Sequence, residues 1–454
     1  MHRAHNSHWV TVEDLPPRIL MTAVPLGIGE TTIDGALQLR ITGTSGNDQI
    51  TVKQTRTGLL VGNTGGWTRT ITDPVKTLWI NGGAGNNSIA LDASVTLNAT
   101  VIGGGANDNI VAGSGNNMLY GGSGKNVLQS RTGNDTLVTL GSTGDTLIGG
   151  SGHDSFWTDN TSAEKIQNLT AAETAAGAVH RISSFYNGSA ISVPGAAANS
   201  AKTKGVFTTG TVKEPTVDSG VSYTKKATNP IFADTGPSEN DIFQGDLSDC
   251  YYLSVLSSIA KIDPTRIQQS ILDMSDGTAI VQLFKNGKPI YVREDEMLPA
   301  STDGSLYYAG LGTENSSWAA LMEKAFAYVR TSKASYPSLN VGWMDEAYQA
   351  LGVNKSVSTY TFASAAALMN VIKQALSAGQ SVTCATNSAP PGTALIASHA
   401  YTVDSVALDS TGNVKSVTLR NPWGCNADGT GNGYITLSPV TAFKALAGVT
   451  CASV

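Results

Sequence analysis

The sequence predicts a multidomain chain, an all-β repeat region followed by an α+β domain of enzyme type. Three observations carry that expectation. A glycine-rich period of nine residues runs between Gly103 and Trp157. From Ile231 onward the apolar spacing changes to the helix and strand periods of a compact domain. Within that second part a cysteine, a histidine and an asparagine follow one another at 250, 399 and 421, the cysteine at the start of an apolar helical stretch.

Length and composition bound the function. At 454 residues the chain can bury two or three full cores. A formal net charge of −6 with no basic block argues against nucleic acid as a partner. The apolar runs are too short to cross a bilayer, so no transmembrane segment is expected. All four cysteines lie beyond residue 249, which argues against a disulfide scaffold in the first half and leaves room for a free reactive thiol in the second. Residues 1–30 read as an N-terminal segment of surface or export type, whose opening Met-His-Arg-Ala-His-Asn-Ser-His lacks the apolar core of a secretory signal. They do contain Glu13-Asp-Leu-Pro-Pro-Arg-Ile-Leu-Met21, which is similar to a Leu-Glu-Pro-Arg-x-Leu-Leu segment at the start of many bacterial surface and exported proteins, with Pro16 in place of its Glu. That similarity points to a secreted or cell-surface bacterial protein, with a cytoplasmic location still open.

Residues 31–160 hold the repeat. The apolar member recurs at Ile110, Leu119, Leu128, Leu137, Leu147 and Phe156, nine apart except for one step of ten. Degenerate forerunners stand at 46–50 and 85–89. The units, such as Gly-Gly-Ser-Gly-His-Asp-Ser-Phe-Trp, resemble the RTX (haemolysin-type) calcium-binding nonapeptide, which coils as a parallel β-roll. Glycines suit its tight turns, the apolar residue suits its interior, and an Asp suits calcium between turns. The Asp position holds Asp108, Asn117, Asn126, Asp135, Asp145 and Asp154. Asp108, Asp135 and Asp154 are therefore candidate Ca2+ ligands, and the Asn positions keep an oxygen without the charge. The alternative is a roll held by its Asn ladder and aliphatic stack without metal.

Residues 161–230, rich in Ala, Ser, Thr and Gly, read as a linker with a short helix near 162–176. Beyond it, the pattern predicts a helix over 251–267, a strand hairpin over 279–292 around Asn286-Gly287, amphipathic helices over 318–328 and 364–378, and strands over 399–407 and 414–419.

Cysteine attacks as its thiolate, which a helix N-terminus favours. Asp249 is a good N-cap residue and would place the Cys250 sulfur on the first turn. No other cysteine has a capping residue followed by a long apolar helix. His399 is the only histidine beyond residue 180, so it alone can serve this domain as an imidazole base. Asn421 would orient that ring through its side-chain oxygen. Gln244 can donate its amide to the oxyanion beside the Cys250 backbone N–H. Singly, His399 could be structural, Asn421 a turn residue and Gln244 any polar loop residue.

The order Cys, His, Asn is that of papain-like cysteine proteases, and residues 231–440 resemble the calpain family in particular. The resemblance rests on Asp241-Ile-Phe-Gln-Gly-Asp-Leu-Ser-Asp-Cys250, Val292-Arg-Glu-Asp-Glu-Met-Leu-Pro299, Ser317-Trp-Ala-Ala-Leu-Met-Glu-Lys-Ala-Phe-Ala-Tyr328, Ser398-His-Ala-Tyr-Thr-Val403 and Leu419-Arg-Asn-Pro-Trp-Gly424. It implies a papain-like two-lobed core over 231–454, with sub-lobes of about 231–352 and 353–454 and Trp423 beside the cleft. It also implies a Ca2+ site in the first lobe from Asp241 and Glu323, completed by backbone oxygens near Asp234 and Gly236. The alternative for Glu323 is an exposed helix acid paired with a nearby lysine. Ser248 and Tyr251 stand where the family has Gly and Trp. Past Gly424 the acids of a second calcium site are replaced by Asn-Ala-Asp-Gly-Thr-Gly-Asn. The resemblance implies a cysteine endopeptidase acting on protein or peptide substrates. The competing reading is an inactive surface protein whose roll binds calcium or glycans.

Overall fold

The computed structural model describes residues 26–33, 35–63, 66–189, 213–225 and 230–454. The export-type segment at 13–21 and the central part of the expected linker lie outside the described residues.

The first part is a parallel β-roll. Its strands alternate between two eight-stranded sheets, a front sheet ending in Val179–Ile182 and a rear sheet ending in Lys165–Gln167. In the front sheet Leu119 lies between Val101 and Leu137, and in the rear sheet Leu128 lies between Ile110 and Leu147. Two nonapeptides therefore make one turn, each supplying one strand. The recurring aliphatic and aromatic residues meet in a fully buried stack between the sheets. At the N-terminal end hairpins replace the coil, with Gly27–Ile33 antiparallel to Ala36–Thr42 and Gln49–Thr55 antiparallel to Gly58–Gly62.

The roll continues past residue 160, where a linker was expected. Residues 165–182 add a further turn containing helix α1 (Ala171–Ala176), which a Thr170/Glu173 capping box starts and left-handed Gly177 ends. Residues 213–225 are also anchored. Strand Ser222–Lys225 pairs with Met297–Ala300, and Glu214 forms an ion pair with buried Lys324 at 2.9 Å.

The second part has two lobes. Lobe I packs α2 (Cys250–Ile262), α3 (Pro264–Gln269), α4 (Trp318–Val329) and α5 (Met344–Ala350) around one core with a three-stranded antiparallel sheet of Ile271–Asp273, Thr278–Lys285 and Lys288–Asp295. Asn286 and Gly287, both at positive φ, turn its hairpin. The helix expected over 251–267 breaks at Asp263. Its carboxylate caps the Arg266 N–H, and Pro264 opens α3 because it has no N–H to continue α2.

Past Gly352 the chain enters lobe II, a six-stranded antiparallel sheet with α6 (Ala365–Ser377) and α7 (Pro439–Ala445) packed on it. Helix α2 is the seam between lobes. The Thr402 hydroxyl donates to the Ser254 carbonyl at 2.8 Å, and the Ser258 hydroxyl accepts the Val382 N–H at 3.0 Å. No described helix is long and apolar enough to cross a membrane.

Candidate active site

Cys250 is the first residue of α2, so its sulfur sits where unpaired helix N–H groups concentrate positive potential. Burial raises its thiol, the backbone N–H groups of Ala400, Tyr251 and Cys250 lower it, and Asp249 raises it further; the net shift is upward. The resting group is therefore a thiol. Its proximity to the Ala400 N–H brings the cysteine beside the residue that follows His399.

His399 is held by its neighbours on both sides. Its N–H donates to the Thr386 hydroxyl at 3.1 Å, and its Nε2 lies 2.9 Å from Asn421 Oδ1. With Nε2 committed to asparagine, Nδ1 is the nitrogen left for a thiol proton. Burial lowers the imidazole below its ordinary value, partly offset by the Asn421 bond. Asn421 is itself fixed, because its Nδ2 donates to the Cys425 carbonyl at 2.8 Å and its Oδ1 also accepts the Trp423 N–H at 3.1 Å. The Trp423 ring lies edge-on to His399 at 5.4 Å, while Tyr401 closes another side at 5.0 Å. These aromatic walls restrict water at the His–Asn bond, which strengthens it electrostatically.

Gln244 lies on a loop tied to lobe II, since its N–H donates to the Pro422 carbonyl at 2.8 Å. Its side-chain amide donates to the Leu247 carbonyl at 2.5 Å, leaving one amide hydrogen for another acceptor. Ser248, two residues before the cysteine, exchanges hydrogen bonds with the loop at 340–341. Its N–H donates to Asn340 Oδ1 and its carbonyl accepts the Val341 N–H. Val341 is held there at φ 59°, a left-handed conformation costing a β-branched residue about 1–3 kcal/mol.

Asp249 departs from expectation. It occupies the cap position of α2, but its carboxylate makes no capping bond. It is instead fully buried against Glu323 of α4, and burial raises both acids. Two carboxyls in one dry site cannot both ionise, so the pair retains a proton. That arrangement explains why Asp249 Oδ1, Asp249 Oδ2 and Glu323 Oε1 have no conventional donor.

The expected first-lobe calcium set is not brought together. Asp241 is consumed by hydrogen bonds from Thr313 N–H, Ser238 N–H and the Trp318 indole at 2.8–2.9 Å. Glu323 points away from it, into the Asp249 pair and the Ala309 N–H at 3.0 Å, and is neither a ligand beside Asp241 nor an exposed acid. The acid that reaches the Asp234–Gly236 loop is Glu314, which accepts the Asp234 N–H at 2.9 Å. Its left-handed backbone conformation carried no sequence signal. Among the described residues no three His, Cys, Asp or Glu side chains converge as a metal cage. The Asp241–Glu323 pairing does not fit a calcium ion.

The roll offers a different donor set. Along one edge, the Asn87 N–H donates to Asp108, Asp108 to Asn126, Asn126 to Asp145, and Asp145 to Glu164. Along the other, Asn117 donates to Asp135, Asp135 to Asp154, and Asp154 to Glu173. Each bond crosses one turn, and the two glutamates end the ladders. Asp154 has both oxygens satisfied, its Oδ2 by Gly150 N–H and Ser130 hydroxyl. Asp108 Oδ2, Asp135 Oδ2 and Asn117 Oδ1 are buried without a partner. Burial pushes Asp108 and Asp135 up to about 7 and Asp145 up to about 6. The orphaned oxygens of Asn117 and Asp135 stand on consecutive rungs of one ladder and suit a calcium ion, so there the donors fit, while Asp108 Oδ2 stands alone on the opposite edge. Gly103 is required beside them, since a Cβ would meet Asp108 Oδ2 at 2.6 Å and the Gly121 carbonyl at 2.5 Å.

Residues 216–432 match the family model described as calpain family cysteine protease, and residues 102–137 and 140–160 match the RTX calcium-binding nonapeptide repeat. The calpain-1 catalytic subunit of Rattus norvegicus is 31% identical over 44% of this chain and 30% of its own length. The calpain-2 catalytic subunit of Bos taurus is 29% identical over 43% of this chain and 29% of its own length. The calpain-1 catalytic subunit of Homo sapiens is 30% identical. The chain thus spans about a third of the length of these curated relatives.

Proposed function

On the premise that residues 216–432 form a calpain-family cysteine protease domain preceded by RTX repeats, we propose that the chain is an endopeptidase hydrolysing peptide bonds through a Cys250 thioester. The observation that carries this reading is the 2.9 Å bond between His399 Nε2 and Asn421 Oδ1 beside the start of the cysteine helix. His399 takes the thiol proton through Nδ1 as sulfur attacks the substrate carbonyl. The oxyanion is met by the Cys250 N–H and the unused hydrogen of the Gln244 amide. The imidazolium then protonates the leaving amine, and the C–N bond breaks to give a thioester and a new amino terminus. In the second half His399 deprotonates water, which releases the carboxylate and returns the proton to sulfur. Asn421 holds the ring in the tautomer and rotation that both halves require.

Calcium enters this reading through the roll. Asn117 and Asp135 would hold it on one ladder, where the ion would neutralise a buried carboxylate and cross-link adjacent turns, and Asp108 would offer a separate oxygen on the opposite ladder. Protein or peptide substrates follow from the same reading, as does an extracellular setting, where millimolar calcium suits weak sites.

Cys250→Ala tests the proposal. It is expected to abolish casein cleavage and labelling by a thiol-directed epoxide while leaving the circular dichroism spectrum intact. Cleavage that persists in this variant sinks the assignment.

A further inference from the structure

The front sheet of the roll carries a second column of side chains, one position beyond the interior stack and facing outward. Register places Ile102, Tyr120, Val138, Trp157 and His180 side by side on five neighbouring strands. An outward face of a free-standing roll would meet water, yet all five are buried. Ile102, Tyr120, Val138 and Trp157 form one apolar cluster with Leu272, Met274, Ile280 and Tyr291 of lobe I. His180 stacks on Trp157 at 3.8 Å and meets the edge of Tyr291, with no partner on either ring nitrogen. The Tyr120 hydroxyl donates to the Asp273 carbonyl at 2.6 Å, and the Tyr186 N–H donates to the Tyr291 carbonyl at 2.7 Å. Asn187 Nδ2 adds a bond to the Arg293 carbonyl at 2.6 Å.

The other face of the same three strands is equally committed. Ala279, Val281 and Leu283 alternate with Ile280 and pack into the core formed by Tyr252 of α2 and Trp318 and Phe326 of α4. The lobe I sheet is therefore a middle layer, with the roll on one side and the cysteine helix on the other. A sheet of only three strands, one of them three residues long, depends for its stability on what covers its two faces.

We propose that the roll is the outer wall of the Cys250 lobe rather than a separable tether, so that the stability of its turns sets the stability of the strands beneath α2. A cation on the ladders would be felt at the cysteine lobe by this route. That corollary rests on the calcium reading above, whereas the mechanical coupling does not.

Hydrogen exchange on the full chain tests the coupling without using activity. Leu137→Ala opens a hole in the roll interior, away from lobe I. Amides of Thr278–Lys285 and α4 are expected to exchange on the order of thirtyfold faster, together with those of the roll. Acceleration confined to the roll overturns the proposal. Tyr120→Phe keeps the packing and removes only the bond to Asp273. It is expected to speed exchange in Ile271–Asp273 about fivefold, and unchanged exchange there counts equally against the proposal.

Discussion

His399 and Cys250 are displaced from their free values in opposite directions, the imidazole downward and the thiol upward. A neutral base facing a neutral thiol has an acid limb set by protonation of the imidazole. The limb of kcat/KM should therefore fall below the ordinary histidine value near 6.5. Asn421 raises His399, so Asn421→Ala should move the limb lower still and reduce kcat/KM by about a hundredfold through misplacement of the ring. A pH profile of both proteins checks the two effects together. Asp249 raises the neighbouring thiol, so Asp249→Asn should shift the pH dependence of Cys250 alkylation downward; an unchanged or upward shift would contradict that role. The sequence announced Cys250, His399 and Asn421 because each lies in a short motif with its own local geometry. It could not announce the Asp249–Glu323 pair, which joins residues on two helices. Capping propensity pointed Asp249 toward its own backbone, and a long-range partner in a dry site took it instead.

At the level of elements, the ladders along the roll edges make opposing demands. Interior aliphatics need the turns close together, and closeness buries carboxylates that water would otherwise solvate. Asp108 and Asp135, raised from 3.8 to about 7 in the fold, bind protons more tightly folded than unfolded. Between those values the folded state carries more protons, so stability in the absence of cation should rise as pH falls from 7.5 toward 4. Asp135→Asn should flatten that dependence in thermal unfolding followed by circular dichroism. At pH 7.5 calcium at a hundred times its Kd should add about 2.7 kcal/mol, and a chelator should remove it. No response to millimolar calcium would reject the ion in the ladders. The nonapeptide period made the roll legible from its apolar stack alone. Its last turn was hidden because residues 161–182 swap the Gly-Asp signature for Glu164, Glu173 and the helix α1.

Across the whole molecule, the junction between roll and protease has its own acid sensitivity. His180 is held down to about 3 by burial, below its unfolded value of 6.5. Protons are then taken up by the unfolded chain first, so this contribution to stability is present above 6.5 and lost as pH falls toward 3, opposite in sign to the ladder carboxylates. His180→Phe should make the chain about 2–3 kcal/mol more stable than the parent at pH 4.5, with the difference vanishing above pH 7. The two domains were separable by eye in the sequence, but their contact was not. Tyr120, Val138 and Trp157 sit one residue beyond the obvious repeat position, and nothing local says that their outward face has a customer. The period of that face also restricts how such a chain can change length. One nonapeptide feeds only one sheet, so a duplication of nine residues ahead of Ser155–Asp159 would send that strand to the rear sheet and turn Trp157 away from lobe I. Insertions and deletions among the repeats ahead of that strand are tolerable only in pairs of units, and a lineage of such proteins should differ there by whole coils, never by halves.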